Sequence, residues 1–378
     1  MRLTRRGLLA AGGSTLAGCS SLSETGTEGR SDNETDGTAA ETDGTDRKDT
    51  DTRIGFVGDV MLGRSVNDRW SDGDPAGVWG STLDRLRELD GLVLNLECCI
   101  SERGEKWPGK VYYFRADPGF AVPALRAADA SVASLANNHI LDFGETALED
   151  TRTHLADTGV AHAGAGPDRE KAFEPAITEF GELTVATIAL TSRYETYAST
   201  ETEPGTAHVT LDSSASETRE LIDGALERAR ERDPDLVVAS LHWGPNWETA
   251  PGEKQQNFAR WLVERGVDVV HGHSAHVLQG IEVHQGRPII YDAGDFVDDY
   301  VDKEGLHNKR GALFELVVSK RSLKELRVVP TEIEDETATL ADETTTEWAR
   351  ETIQERSEPF GTTIERTDER LSVPLGGE

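Results

Sequence analysis

Ile54-Gly55-Phe56-Val57-Gly58 is a short apolar run that stops at one carboxylate, Asp59. A run of this length reads as a buried strand, and a charged residue directly after it belongs where the strand ends. The same step recurs along the chain. Gly91 to Leu96 is closed by Glu97, Ser131 to Ala136 by Asn137-Asn138-His139, Leu236 to Leu241 by His242, and Val267 to Val270 by His271-Gly272-His273-Ser274-Ala275-His276. Leu183 to Leu190 is a further run of this kind. Between the runs, Ser81 to Leu89, Glu145 to Thr158, Glu217 to Arg232 and Glu253 to Glu264 carry apolar residues at three and four spacing beside charged faces, the mark of covering helices. This alternation predicts an α/β layered fold whose first strands are parallel. Pro288 to Tyr291, Ala312 to Val318 and Leu323 to Val329 read as later, hairpin-like strands. Beyond Thr331 the chain turns polar and acidic, with one candidate helix near Thr346 to Arg356. The resulting division is a folded domain over 53–335 and an acidic C-terminal tail over 336–378.

The 378 residues hold 39 Lys plus Arg against 70 Asp plus Glu, a net charge of −31, which disfavours a nucleic-acid binder. Such a surface suits a high-salt habitat, where screening relieves self-repulsion. Three cysteines are too few for a disulfide framework, and no apolar run reaches the length of a membrane span.

The N-terminus reads as an address. Arg5-Arg6 before Gly7-Leu8-Leu9 resembles a twin-arginine export signal, and Leu16-Ala17-Gly18-Cys19 resembles a lipobox, so residues 1–19 are expected to be a signal with lipid attachment at Cys19. Residues 20–52, rich in Ser, Thr, Gly, Asp and Glu, have too little to bury to offset the entropy of ordering and are expected to be a disordered acidic stalk. The expected location is extracytoplasmic, tethered to the cell membrane by the N-terminal lipid.

In an open parallel sheet, ligands bind outside the carboxyl ends of the strands, so the polar residues that close the runs can meet at one mouth. Two carboxylates, an amide and several imidazoles make a donor set suited to zinc, manganese or iron. In a two-metal site the ions sit about 3.5–4 Å apart, a shared carboxylate bridges them, and a water is activated as nucleophile; Glu97 is the candidate bridge. Singly, each residue also has a structural reading: Asp59 as a loop cap, Glu97 as an ion-pair partner, His242 as a core histidine.

Gly58-Asp59-Val60-Met61-Leu62-Gly63-Arg64, Asn95-Leu96-Glu97, Asn137-Asn138-His139 with Asp142 and Gly144, His242-Trp243-Gly244, Gly272-His273-Ser274-Ala275-His276 and Gly294-Asp295-Phe296 follow one another between Ile54 and Phe296. They resemble the successive signatures of the poly-gamma-glutamate capsule-synthesis CapA family, itself similar to calcineurin-like metallophosphoesterases. The resemblance implies a four-layered α/β/β/α metallophosphoesterase-like sandwich. It also implies two divalent metal ions, a first held by Asp59 and His276 and a second by Asn138, His242 and His273, with Glu97 between them. His139 would stand beside the reacting group as general acid or electrostatic stabiliser. Two positions depart from the pattern. Met61 stands where metallophosphoesterases usually place a histidine, and Asp295 stands in what is generally Gly-Asn-Phe, adding a charge near the mouth or a further ligand.

Asp142 either orients His139 or caps the helix that follows. Arg64, counted with His139 and Asp142 in the candidate catalytic set, and Arg115 can clamp a carboxylate or phosphate, or form surface ion pairs. Asp295 joins these arginines as a candidate substrate contact. Trp243 and Trp247 read as rim packing, and Cys98 and Cys99 as buried thiols.

Three functions follow. The first is a tethered metal-dependent hydrolase acting on a poly-gamma-glutamate-like polymer or a phosphoester, with membrane-bound synthesis and export proteins as partners. The second is a non-catalytic polymer-binding or export-guiding protein with a degenerate metal site, favoured by Met61. The third is a phosphomonoesterase or nucleotidase of the same fold.

Overall fold

The computed structural model describes residues 51–367 and 371–376. The predicted signal with Cys19, and the predicted stalk up to residue 50, lie outside the described residues. Asp51 and Thr52, assigned to the stalk, open the first strand and pair with Ser319 and Val318.

The first part of the chain contributes β1 (Asp51–Val60), α1 (Arg64–Trp70), α2 (Leu83–Arg87), β2 (Gly91–Leu96), α3 (Pro118–Ala127), β3 (Val132–Ser134), α4 (Gly144–Thr158) and β4 (Ala161–Ala163). There follow β5 (Ala176–Phe180), β6 (Leu183–Thr191), α5 (Ser216–Arg230), β7 (Leu236–His242), α6 (Glu253–Glu264), β8 (Val269–His273), β9 (Ile281–His284) and β10 (Arg287–Ile290). The last part supplies β11 (Asp295–Val297), β12 (Arg310–Ser319), β13 (Ser322–Glu334), β14 (Thr337–Leu340), α7 (Glu343–Ser357), β15 (Glu365–Arg366) and β16 (Leu371–Pro374).

Two sheets result. The larger runs β15-β16-β13-β12-β1-β2-β3-β4, with β11 on β1 and β14 on β13. Its β1 to β4 half is parallel and its C-terminal half antiparallel. The smaller runs β9-β10-β8-β7-β6-β5, parallel from β10 to β6 and antiparallel at both edges. Successive strand residues point to opposite faces, so each sheet has two apolar faces to bury. Ile54, Phe56 and Val93 of the larger sheet meet Val185, Val238 and Val269 of the smaller in one core between the sheets. On the outer faces, Leu92 and Leu94 pack with Phe120, Leu148 and Leu155 of α3 and α4, while Val237 and Ala239 pack with Ile222 and Phe258 of α5 and α6. Each fully buried Leu, Ile, Val or Phe contributes about 1.5–3 kcal/mol, so three stacked cores hold the layers together. The architecture is the expected four-layered α/β/β/α sandwich.

The C-terminal boundary differs from the expectation. Residues after 335 do not form a separate tail: β14 and β16 pair with β13, and Ala349, Ile353, Leu371 and Val373 enter the core between the sheets. Among its described residues the acidic side chains lie on the outer face. Apolar residues four apart on α7 and two apart on β16 supply a buried one. The predicted helix at Ser81 to Leu89 is α2 preceded by a tighter Pro75–Thr82 turn, broken at Gly80, whose φ of 42° lies in the left-handed region. Among the described residues no helix is long and apolar enough to cross a membrane.

Candidate metal centre

The strand alternation that builds the core also aims the site. In β7, Leu236 and Val238 face the other sheet, so Ser240 and His242 do too; in β8, Val269 does the same for His271 and His273. In β2, Val93 puts Asn95 and Glu97 on that face. Asp59 would point the wrong way by strict alternation from Ile54 and Phe56. A register shift at Val57/Asp59 turns it inward, a use of an irregular strand to re-aim a side chain. The carboxyl ends of β1, β2, β7 and β8 therefore converge between the sheets.

Asp59, Glu97, His242 and His273 are fully buried, and His276 is 5% exposed. Asp59 Oδ1 accepts from Asn95 Nδ2 at 2.7 Å and lies 3.5 Å from His273 Nδ1, while Asp59 Oδ2 accepts from the Ser274 amide at 3.1 Å and lies 3.2 Å from His276 Nδ1. The Nδ1 atoms of His242 and His273 are 3.1 Å apart, and Asn138 Oδ1 is 2.5 Å from His242 Nε2. Asn137, through its side-chain amide, donates to Asn95 Oδ1 at 3.1 Å and ties the two loops together. Donor atoms fall into two groups that each lie within 4.8 Å, Asp59 with His242 and His273, and Asp59 with Glu97 and His276.

Both oxygens of Glu97 are buried with no hydrogen-bond partner. Glu97 Oε1 is 3.6 Å from His242 Nε2 and 3.9 Å from His139 Nε2. A buried carboxylate without partners costs several kcal/mol unless a cation offsets it. The orphaned carboxylate and the mixed nitrogen and oxygen donors thus fit a bound divalent metal. Asp59 is common to both groups, and Glu97, the candidate bridge, lies against the His276 side and in reach of His242.

Burial raises the Glu97 carboxyl well above its usual range, reinforced by the neighbouring Asp59 charge. Burial also pushes Asp59 up, but the His276 hydrogen bond and charge, with His273 and Asn95, outweigh it and hold Asp59 low. Burial lowers His242 and His273 strongly, which keeps them in the neutral form a metal ligand needs. His276 is driven up against its burial by Asp295 and Asp59.

Asp295, a candidate substrate contact or further ligand, is buried beside Asp59 through the β1 and β11 pairing, and its Oδ1 is 2.8 Å from His276 Nδ1. It orients a donor. Asp142 does not cap α4, whose cap residue is Phe143 with no side-chain bond. Its Oδ2 is 2.7 Å from His139 Nδ1 and accepts from the Phe114 amide at 2.7 Å, and Lys110 also binds it. His139 is thereby fixed with Nε2 toward Glu97.

Arg64 and Arg115 are not brought to this centre. They line a neighbouring cleft of about 510 Å³. Arg64 pairs with Asp299 at 3.3 Å and stacks 4.9 Å over the Phe114 ring, which also meets the His139 ring edge-on; Arg115 stacks 4.0 Å over Phe143. The side chains that do line the roughly 250 Å³ opening of the centre include Met61, Lys110, Arg193, Tyr194 and Tyr300. Lys110 and Arg193 sit in irregular segments where no spacing marks them. Asn95 was visible as the residue two before Glu97 on the same strand face. Trp247 stacks on Tyr300 at the rim, whereas Trp243 is fully buried and donates to Tyr291 O. Cys98 and Cys99 are free and buried, and burial pushes the Cys98 thiol up to about 12, so they are inert.

Residues 53–300 match the family described as Bacterial capsule synthesis protein PGA_cap, a span that holds every donor named above. The chain is 36% identical over 335 residues to a probable polyglutamine synthesis accessory protein of Mycobacterium tuberculosis, covering 84% of this chain and 86% of that one. It is 26% identical to the capsule biosynthesis protein CapA of Bacillus anthracis, over 74% of this chain and 67% of that protein. The same identity holds to the PGA biosynthesis protein CapA of Bacillus subtilis, over 75% and 72%. With its ordered signatures gathered at one buried donor cluster, the chain belongs to the capsule-synthesis PGA_cap family, the CapA family of poly-glutamate biosynthesis.

Proposed function

We propose that this protein is a metal-dependent hydrolase acting on a poly-gamma-glutamate-like polymer. The observation that carries the reading is the Glu97 carboxylate, buried with both oxygens unpartnered among Asp59, His242 and His139. Asp59, His242, His273 and Asn138 would hold one ion, and Asp59, Glu97 and His276 another, of the Mn, Zn or Fe kind. Such ions supply Lewis-acid activation of water and neutralise charge at the reacting group. The protein's own part is positional. Asp142 holds His139 by Nδ1, so Nε2 is the atom at which a proton is held or passed beside the reacting group. Asp295 fixes His276 and Asn95 fixes Asp59, which keeps the donors from collapsing onto each other.

The full-length chain, stripped by chelator and reloaded with Mn²⁺ or Zn²⁺, is expected to retain about two ions. It is expected to cleave a γ-linked glutamate oligomer, with turnover falling about 100-fold or more in His139→Ala. Metal retained without turnover on this oligomer or on a chromogenic phosphoester would leave a polymer-binding protein, the reading that Met61 favours; turnover on the phosphoester alone would point to a phosphatase. No retained metal would remove the proposal. The Arg5-Arg6 and Leu16-Ala17-Gly18-Cys19 segments support export and lipid tethering at Cys19, with membrane-bound polymer synthesis and export proteins as partners. Mass spectrometry of the mature N-terminus tests this.

A further inference from the structure

Arg193 follows the end of β6 and is locked to the loop after His242. Its amide donates to Thr191 Oγ1 at 3.0 Å, and Thr191 Oγ1 donates to His242 O at 3.0 Å. Its guanidinium donates to Gly244 O at 2.7 Å and to Asn246 Oδ1 at 2.8 Å, both neutral acceptors. Among the described residues no carboxylate pairs with it, in a chain with 70 acidic residues to 39 basic ones. The other cationic groups of the opening are already committed, Lys110 to Asp142 and Asn138 O, and His276 to Asp295 and Asp59. Among the described residues, Arg193 is thus a cation of the cleft, beside Asn138, His139 and His276, that sits in no ion pair, the buried Glu97 acting on its charge only from further off. Of its five N–H donors, two are spent on the loop, which holds the planar fork in place with donors left over. The rim beside it is apolar and open: Val111, Tyr112 and Tyr194 are 82%, 44% and 40% exposed. A fixed single cation next to an exposed apolar edge suits a monoanionic group carried on a carbon chain.

We propose that Arg193 is the specificity-determining residue that recognises a free carboxylate of the substrate beside the reacting bond. The proposal rests on the polymer reading above for what carries that carboxylate. A γ-linked glutamate chain bears one α-carboxylate next to each linking amide, which is the spacing a charge at the cleft wall can read.

The test is calorimetric titration of the full-length, Mn²⁺-loaded protein with a γ-linked glutamate trimer and with the same trimer amidated at its α-carboxylates. The wild type is expected to bind the acid form about 10–100-fold tighter, the range of a charge-assisted hydrogen-bonded contact. In Arg193→Gln that ratio is expected to fall to roughly threefold or less, and in Arg193→Lys to an intermediate value, since the charge remains without the fork. Metal content equal to wild type certifies each variant, and Arg193→Lys carries the comparison should the Gln variant not fold. A ratio unchanged by either substitution, or a wild type that does not discriminate, overturns the proposal. So does inorganic phosphate displacing the trimer in the wild type but not in Arg193→Gln, which would make the residue a phosphate ligand. The loss of turnover on both trimers with this binding pattern intact would remove the hydrolase reading and leave Arg193 assigned; turnover insensitive to residue 193 would do the reverse.

Discussion

Glu97 shows how one side chain can be destabilising alone and useful with a cation. In the metal-free chain its raised pKa means that the native state keeps a proton which the unfolded chain has released above 4.5, so stability falls as pH rises from there through the raised value. Glu97→Gln is expected to remove that slope and to raise the melting temperature of the chelated protein near neutral pH by roughly 2 °C or more, while weakening metal retention. Melting curves with and without chelator check both, and a chelated Gln variant that melts lower than wild type would contradict it. Asp142→Asn acts elsewhere. It frees His139 Nδ1 and leaves Lys110 without its carboxylate, so activity is expected to fall about 10–100-fold with metal content unchanged. Metal loss in this variant would make Asp142 part of the metal support instead. Of these residues, His139 and Asp142 were visible as a pair three apart in one motif. Arg64 and Arg115 carry the right chemistry but line the neighbouring cleft, Arg64 over the Phe114 ring and Arg115 over the Phe143 ring.

At the level of elements, the site depends on two backbones coming unusually close. A Cβ on Gly272 in β8 would sit 2.1 Å from Tyr291 O, and one on Gly58 in β1 would sit 1.9 Å from Gly294 O. Both obstacles are backbone, which cannot rotate aside as a flexible side chain can. Gly272→Ala is expected to cost about 2–4 kcal/mol and to displace His273, read as a lower melting temperature together with weaker metal retention. A variant that keeps the wild-type melting point and metal content would show that β8 can shift without consequence. The strands carrying the donors were legible because a short apolar run ending on Asp, Glu or His is a local pattern. The helix α3 was missed, since Pro118 and Pro123 interrupt the pattern from which helices are read, although proline at the first turn is compatible with one. The last helix was seen in outline, but its place in the core was not, because its charged outer face dominates the composition.

The whole chain carries a net charge of −31, an excess of like charges that repel one another. Raising KCl from about 0.1 M to about 1 M shortens the screening length from about 10 Å to about 3 Å and is expected to raise the melting temperature of the metal-loaded protein. A melting temperature that falls with salt would show that attractive ion pairs, such as Arg85 with Glu315 and Arg260 with Glu282, outweigh the repulsion. The sequence by itself determined the strand and helix alternation, the acidic surface and the identity of the donor residues, because each is written in neighbouring residues or in composition. The meeting of those donors was decided only by the tertiary structure. Asp59 and His276 are more than two hundred residues apart, and their 3.2 Å approach exists because two twisted sheets stack face to face and a strand irregularity turns one carboxylate into the gap. The same stacking chose Lys110 and Arg193, rather than Arg64 and Arg115, as the cations of the opening, since loop positions follow from where the strands they leave are packed.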